Sequence, residues 1–152
     1  METKEYYTPT IEDLYFGYQF EYKTHEGEWI KHTFNGADMQ LIQNCFTEGN
    51  NKDTVRTAFL CKQDIIDFGF KEVPHKHPFL GNIEGYEKHL KTEEFNELSL
   101  YRIVKHPKSE IIEIHRIYES SCGSQHEQLF SGLCKSKNEF IKLIKDYLNI
   151  HI

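Results

Sequence analysis

An α+β domain, with helices packed on one side of an antiparallel or mixed β-sheet, is the fold class this sequence predicts. Three observations predict it. Apolar residues alternate with period 2 in several short segments. One well-marked amphipathic helix closes the chain. Strands do not alternate with helices in the β-α-β rhythm that builds parallel sheets. The 152 residues fit a single domain over 1–152, long enough to bury about two-thirds of the unfolded surface without disulfides or metal.

The first element is a β-hairpin over 15–34. Phe16, Tyr18, Phe20 and Tyr22 alternate with smaller or polar residues, and Ile30, His32 and Phe34 share a face of the return strand. Pairing Tyr22 with Ile30 sets Phe20 against His32 and Tyr18 against Phe34, so one face is nearly all aromatic and is the expected core face. His32 there is expected to be a core histidine. Asn35-Gly36 breaks the strand. Ala37 to Phe46 reads as a short helix, Thr47 to Asp53 as a polar loop and Thr54 to Leu60 as a strand. Gln63 to Asp67 reads as a single helical turn with Gly69 as its left-handed exit.

Pro74 to Glu97 is expected to be the least regular stretch, with a short helix within Glu84–Phe95. Each proline removes a donor and restricts its predecessor. A hairpin-strand-helix unit follows over 98–150. Leu98–Lys105 and Ser109–Tyr118 form the hairpin. Pairing Val104 with Ile111 sets Arg102 against Glu113, a favourable charge pair. Leu98, Leu100, Val104 and Ile117 then share a second apolar face, which marks a hairpin central in its sheet or one that uses that face for a partner. Glu119–Gln125 reads as a polar loop and Leu129–Cys134 as a strand. Ser136-Lys137-Asn138-Glu139 has capping-box spacing, and Phe140, Leu143, Ile144, Tyr147 and Leu148 form the stripe of the last helix.

Several phrases resemble a known group. Tyr7-Thr8-Pro9-Thr10-Ile11-Glu12-Asp13-Leu14, followed by Gly17-Tyr18-Gln19-Phe20-Glu21-Tyr22 and Glu28-Trp29-Ile30-Lys31, is one. Asp64 to Phe70 is a second, and Leu129-Phe130-Ser131-Gly132-Leu133 with Ser136 to Phe140 and the closing helix is a third. Together they resemble short uncharacterised proteins encoded by bacteriophages of gut bacteria. The resemblance implies a phage or prophage origin and a host-cytoplasm or virion setting, and no chemistry.

Composition narrows the function. The net charge of −6 argues against a partner held as duplex nucleic acid, which needs a basic footprint. No run of about 18 apolar residues is present to span a membrane as a helix. The opening residues lack the apolar segment of a secretory signal. Cys45, Cys61, Cys122 and Cys134 contain no C-x-x-C spacing, so reduced thiols in a cytoplasm are expected.

Nine histidines raise metal binding. His75 and His77 lie at alternate positions, so an extended segment points both imidazoles to one side. His89, Cys61 or Glu84 would add a third ligand. The competing reading is a solvated loop between two prolines. Cys122 with His115 and His126 has the residue types of a thiol and its base, set against a plain surface-loop cysteine. Asp64, Asp67 and Glu72 form a small acidic group, with Asp64 better explained at a helix start. No phosphate-loop, nucleophile-elbow or H-E-x-x-H phrase occurs, and no cofactor is expected.

The expected function is therefore a non-enzymatic binding protein acting in the host cytoplasm, through self-association or capture of a host protein. A small anionic, nucleotide-like ligand would be held by Arg102, Lys105, His115 and Arg116. The alternative is a small metal-dependent hydrolase or nuclease using His75, His77 and His89.

Overall fold

A computed structural model describes residues 5–37, 54–79, 81–91, 98–107 and 109–148. Two compact units divide the chain, Met1–Phe59 with Ser136–Asn138 and Leu60–Lys135 with Glu139–Ile152. Both sheets are antiparallel, and the chain has the expected α+β class.

In the first unit, β1 (Tyr6–Tyr7), β2 (Gln19–Lys23), β3 (Trp29–Thr33) and β4 (Val55–Ala58) form a sheet of order β1-β4-β2-β3. The hairpin register is the expected one, with Tyr22 opposite Ile30 and Phe20 opposite His32. Phe34 donates its backbone N–H to the Tyr18 carbonyl at 2.8 Å. The aromatic face is the core face over its middle, where Tyr18, Phe20 and Val55 are buried with Leu14, Tyr22 and Phe34 against them, while Phe16 and Ile30 are exposed. His32 is half-buried and meets the Phe20 ring edge-on at 5.4 Å. The helix expected over Ala37–Phe46 and the loop over Thr47–Asp53 lie, but for Ala37, outside the described residues.

The second unit begins with α1 (Lys62–Asp67). Asp64 accepts the Cys61 backbone N–H at 3.0 Å, satisfying a donor that a helix start leaves open. Gly69 leaves the helix at φ 82°. A five-stranded sheet follows in chain order: β5 (Lys71–His77), β6 (Gly81–Lys91), β7 (Leu98–Lys105), β8 (Ile111–Ser120) and β9 (Gly123–Leu133). The helix α2 (Lys137–Leu148) closes the chain, and Glu139 accepts the Lys135 N–H at 2.5 Å.

Three sequence expectations change here. Pro74–Glu97, expected irregular with a helix in Glu84–Phe95, belongs over 74–77 and 81–91 to two paired strands, and 92–97 lie outside the described residues. Pro74 is tolerated because β5 is an edge strand, where a missing N–H need cost no ladder bond. Glu119–Gln125, expected as a loop, is the tip of the β8–β9 hairpin, with Ser120 opposite Gly123. Finally, Arg102 stands opposite His115 and Val104 opposite Glu113, a two-residue shift from the expected register. A shift of two leaves every side chain on its expected face, whereas a shift of one would reverse them.

One sheet face is covered by both helices. Tyr86, Tyr101, Ile103, Ile112 and Ile114 pack there against Ile65 of α1 and Phe140, Ile144 and Leu148 of α2. The apolar stripe of the last helix is thus spent on this core, as its 3.6-residue spacing predicts.

Candidate functional site

Successive strand residues point to opposite faces, so the registers assign the face away from the helices. There β5 contributes His75 and His77, β7 contributes Arg102 and Val104, and β8 contributes Glu113 and His115. Val104 is fully buried and His115 is nearly so. Gly85 of β6 lets His75 lie close to the sheet, because a Cβ at position 85 would sit 2.9 Å from the His75 Cβ.

One further histidine arrives through a register irregularity. Ile114 pairs with Phe130, but the next residue, His115, pairs with Gln128. Leu129 is the extra residue of a β-bulge. Below it, odd-numbered positions of β9 exchange faces with even-numbered ones. His126 therefore faces the same side as His115. Strict alternation back from Leu133 would have put it on the helix side.

Glu113 organises the group. Its Oε1 lies 2.9 Å from His106 Nε2 and 3.7 Å from His77 Nε2. Its Oε2 lies 2.9 Å from His115 Nε2, and His115 Nδ1 lies 3.0 Å from His126 Nε2. One proton arrangement satisfies every contact: His126 donates to His115, while His115 and His106 donate to the carboxylate. The side chains of Glu113, His77, His106 and His115 keep only 11–18% exposure. A carboxylate this enclosed needs such donors. Burial alone would raise its pKa, but hydrogen bonds from His115 and His106, with their charges, bring it below the usual value. Burial lowers the pKa of His75, helped by Arg102 and His115. Partial desolvation of its ring also lowers that of His126, an otherwise exposed residue, helped by His115 and Arg102. Both rings therefore favour the neutral form. Arg102 donates through Nε and Nη2 to Glu87 Oε1, at 2.7 and 2.5 Å.

His77, His106 and Glu113 have the donor set of a metal site. One ligand atom from each lies within 4.8 Å of the others. An ion about 2.1 Å from each atom of a tetrahedral set holds them roughly 3.4 Å apart. The 2.9 and 3.7 Å separations straddle that value. No protein-family model, curated protein or solved structure matches the chain. His115 on Oε2 would hold Glu113 in place while Oε1 met the ion, the supporting contact that metal-bound carboxylates commonly have. At His77, Nδ1 accepts the Phe79 N–H at 3.2 Å. Ligation through Nε2 moves the ring proton to Nδ1 and releases that amide.

The sequence-derived candidates divide on this geometry. His75 and His77 face the cluster, but His89 does not reach it. His89 pairs with Leu100, six residues along β6 from the partner of His75, about 20 Å away at strand rise. His106 and Glu113 take the place proposed for His89, Cys61 or Glu84. Cys61 and Asp64 bond each other at the start of α1, and Glu84 accepts the Tyr86 hydroxyl at 2.6 Å. Of the proposed anion contacts, Arg102 and His115 share this face. Lys105 and Arg116 point to the other side. Lys105 donates to the Leu60 carbonyl, and Arg116 donates to Ser99 Oγ and stacks over Tyr118. Glu113, expected opposite Arg102, instead serves histidines.

The Cys122 triad does not assemble. His115 and His126 meet, but Cys122 is exposed at the hairpin tip, four residues along β9 from His126. Asp67 accepts from Gln63 and Glu72 pairs with Lys62, so the acidic group is dispersed. The face expected to be apolar has exposed Leu98 and Leu133 toward its margins and a polar centre. His106 and Glu113 were not among the sequence candidates for ligands; the fold brings them together with His77. Among the described residues, no helix is long and apolar enough to cross a membrane.

Proposed function

We propose that this protein is a metal-dependent hydrolase whose divalent ion is held by His77, His106 and Glu113. The observation that carries this reading is the convergence of two imidazole nitrogens and one carboxylate oxygen from three strand ends on a partly enclosed face. Three protein ligands leave a position for water or substrate, which is the pattern of catalytic zinc rather than closed structural zinc. An ion there activates its water and polarises the bond to be cleaved. His126, exposed and oriented through His115, stands where a proton acceptor can be reached from solvent.

The test is metal analysis after dialysis against zinc or manganese, paired with turnover of chromogenic acyl and phosphoryl esters. One ion per chain, lost in His106→Ala and Glu113→Gln, with metal-dependent turnover, supports the reading. A chain that retains no ion and shows no metal-dependent turnover overturns it.

A second reading is favoured by the placement of Arg102 directly opposite His115. It is a non-enzymatic binder of a nucleotide-like anion, phage-encoded and working in a host cytoplasm. The phage setting and host-protein capture draw on the sequence phrases alone. Specific binding without turnover distinguishes this reading from the first.

A further inference from the structure

We propose that a bound divalent ion reverses the charge of this face and so makes it a site for phosphate esters, with Arg102 as their second anchor. This rests on the metal reading above.

The argument is one of charge and placement. Arg102 contributes one positive charge to the cluster, and Glu87 and Glu113 contribute one negative charge each. Counting these three charges alone, the group stands at minus one, within a chain of net charge −6. It repels an anion. A divalent ion brings the same group to plus one, in a partly enclosed setting where charges act more strongly than in bulk water. Metal binding therefore precedes anion binding.

Placement selects the phosphoryl group. Arg102 is directly opposite His115 and diagonal to Glu113 across β7 and β8, roughly 7 Å between side-chain origins. Arg102 places Nε and Nη2 on Glu87, and Nη1 has no hydrogen-bond partner among the described residues. A tetrahedral phosphoryl group carries several oxygens. One can take the open position on the ion while another accepts from Nη1, a geometry that suits the guanidinium fork. His75 lies on the same face, held close to the sheet by the absence of a side chain at Gly85.

Isothermal titration with phenylphosphonate, a non-hydrolysable anion, tests this. Four proteins are compared: wild type, His106→Ala, Arg102→Met, and Arg102→Met with Glu87→Gln. Zinc binding is measured first on each. Zinc-loaded wild type should bind the phosphonate, and metal-free wild type and His106→Ala should not. Arg102→Met should keep its zinc and lose about tenfold or more in phosphonate affinity. The double variant keeps the local charge but lacks the fork, and should also be weakened.

Equal phosphonate affinity with and without zinc overturns the charge reversal while leaving the metal site standing. Undiminished affinity in both Arg102 variants overturns the anchor. Failure of wild type to bind zinc overturns the metal reading, and this inference with it.

Discussion

Glu113→Gln is the sharpest perturbation of the second unit, because it keeps the side-chain volume and removes only charge and one acceptor. The carboxylate takes hydrogen bonds at 2.9 Å from both His106 and His115 with 15% of its side chain exposed. The amide oxygen replaces one of these bonds, and the NH₂ turns a donor toward the other imidazole. One charge-assisted bond in a mostly enclosed site is lost, at a cost of about 2 kcal/mol. For a chain of this length, that lowers the melting temperature by roughly 4–8 °C. Calorimetry with near-ultraviolet circular dichroism on metal-free protein measures it. Zinc should widen the gap, since an ion at a hundred times its Kd adds about 2.7 kcal/mol to a protein that binds it and little to the variant. A metal-free variant melting within about a degree of wild type would refute the assignment of Glu113 as the centre of the network.

Acidification should destabilise the fold in two stages. His75 and His126 have folded pKa values below the ordinary 6.5. The unfolded chain therefore takes up their protons first, and stability is full above that pH and falls below it. Glu113 lies below its ordinary 4.5, so its contribution holds above that pH and is lost on further acidification; melting curves from pH 8 to 3 resolve both stages. Zinc titration followed by amide NMR should shift and deprotect the Phe79 N–H, which His77 Nδ1 accepts before the ion binds; an unmoved Phe79 amide in zinc-saturated protein argues against ligation through His77 Nε2. Gly85→Ala should cost about 1–3 kcal/mol by overpacking and move the His75 ring resonances, because the new methyl meets the His75 Cβ at 2.9 Å; retained stability and resonances would count against the close approach. In native protein the exposed Cys122 should react with a disulfide reagent well before the buried Cys134, whose thiol pKa is raised by burial; mass mapping of the labelled sites checks the order.

Much of the fold was legible because period and packing agreed. The aromatic hairpin shows its register in Phe20 and Tyr22, whose partners can be counted from the turn. The stripe Phe140, Ile144, Leu148 admits only one buried face. The strands over 71–91 were hidden by two features. Pro74 reads as a breaker, and only its edge position removes that objection. Charges at Glu84, Glu87, Lys88 and Lys91 obscure the alternation of β6, where Gly85 and Tyr86 are both buried on opposite faces.

The site was less legible than the fold, and the reason is physical. Local residue spacing brings His75 and His77 to one side, but a ligand set drawn from β5, the end of β7 and β8 depends on register across three strand pairings. The two-residue error at β7–β8 preserved the face and so preserved the grouping of Arg102, Glu113 and His115, while assigning the wrong partners. His126 required more. Its side is set by a single extra residue at Leu129, and the sequence marks that bulge only by two adjacent apolar residues, Leu129 and Phe130, both packed on the helix-side core. A bulge costs ladder pairing, and here it carries one imidazole across the sheet to within 3.0 Å of another. Such irregularities gather where a side chain must be re-aimed. The placement of this one beside the Glu113 network ties the local cost in pairing to the group proposed to bind the ion.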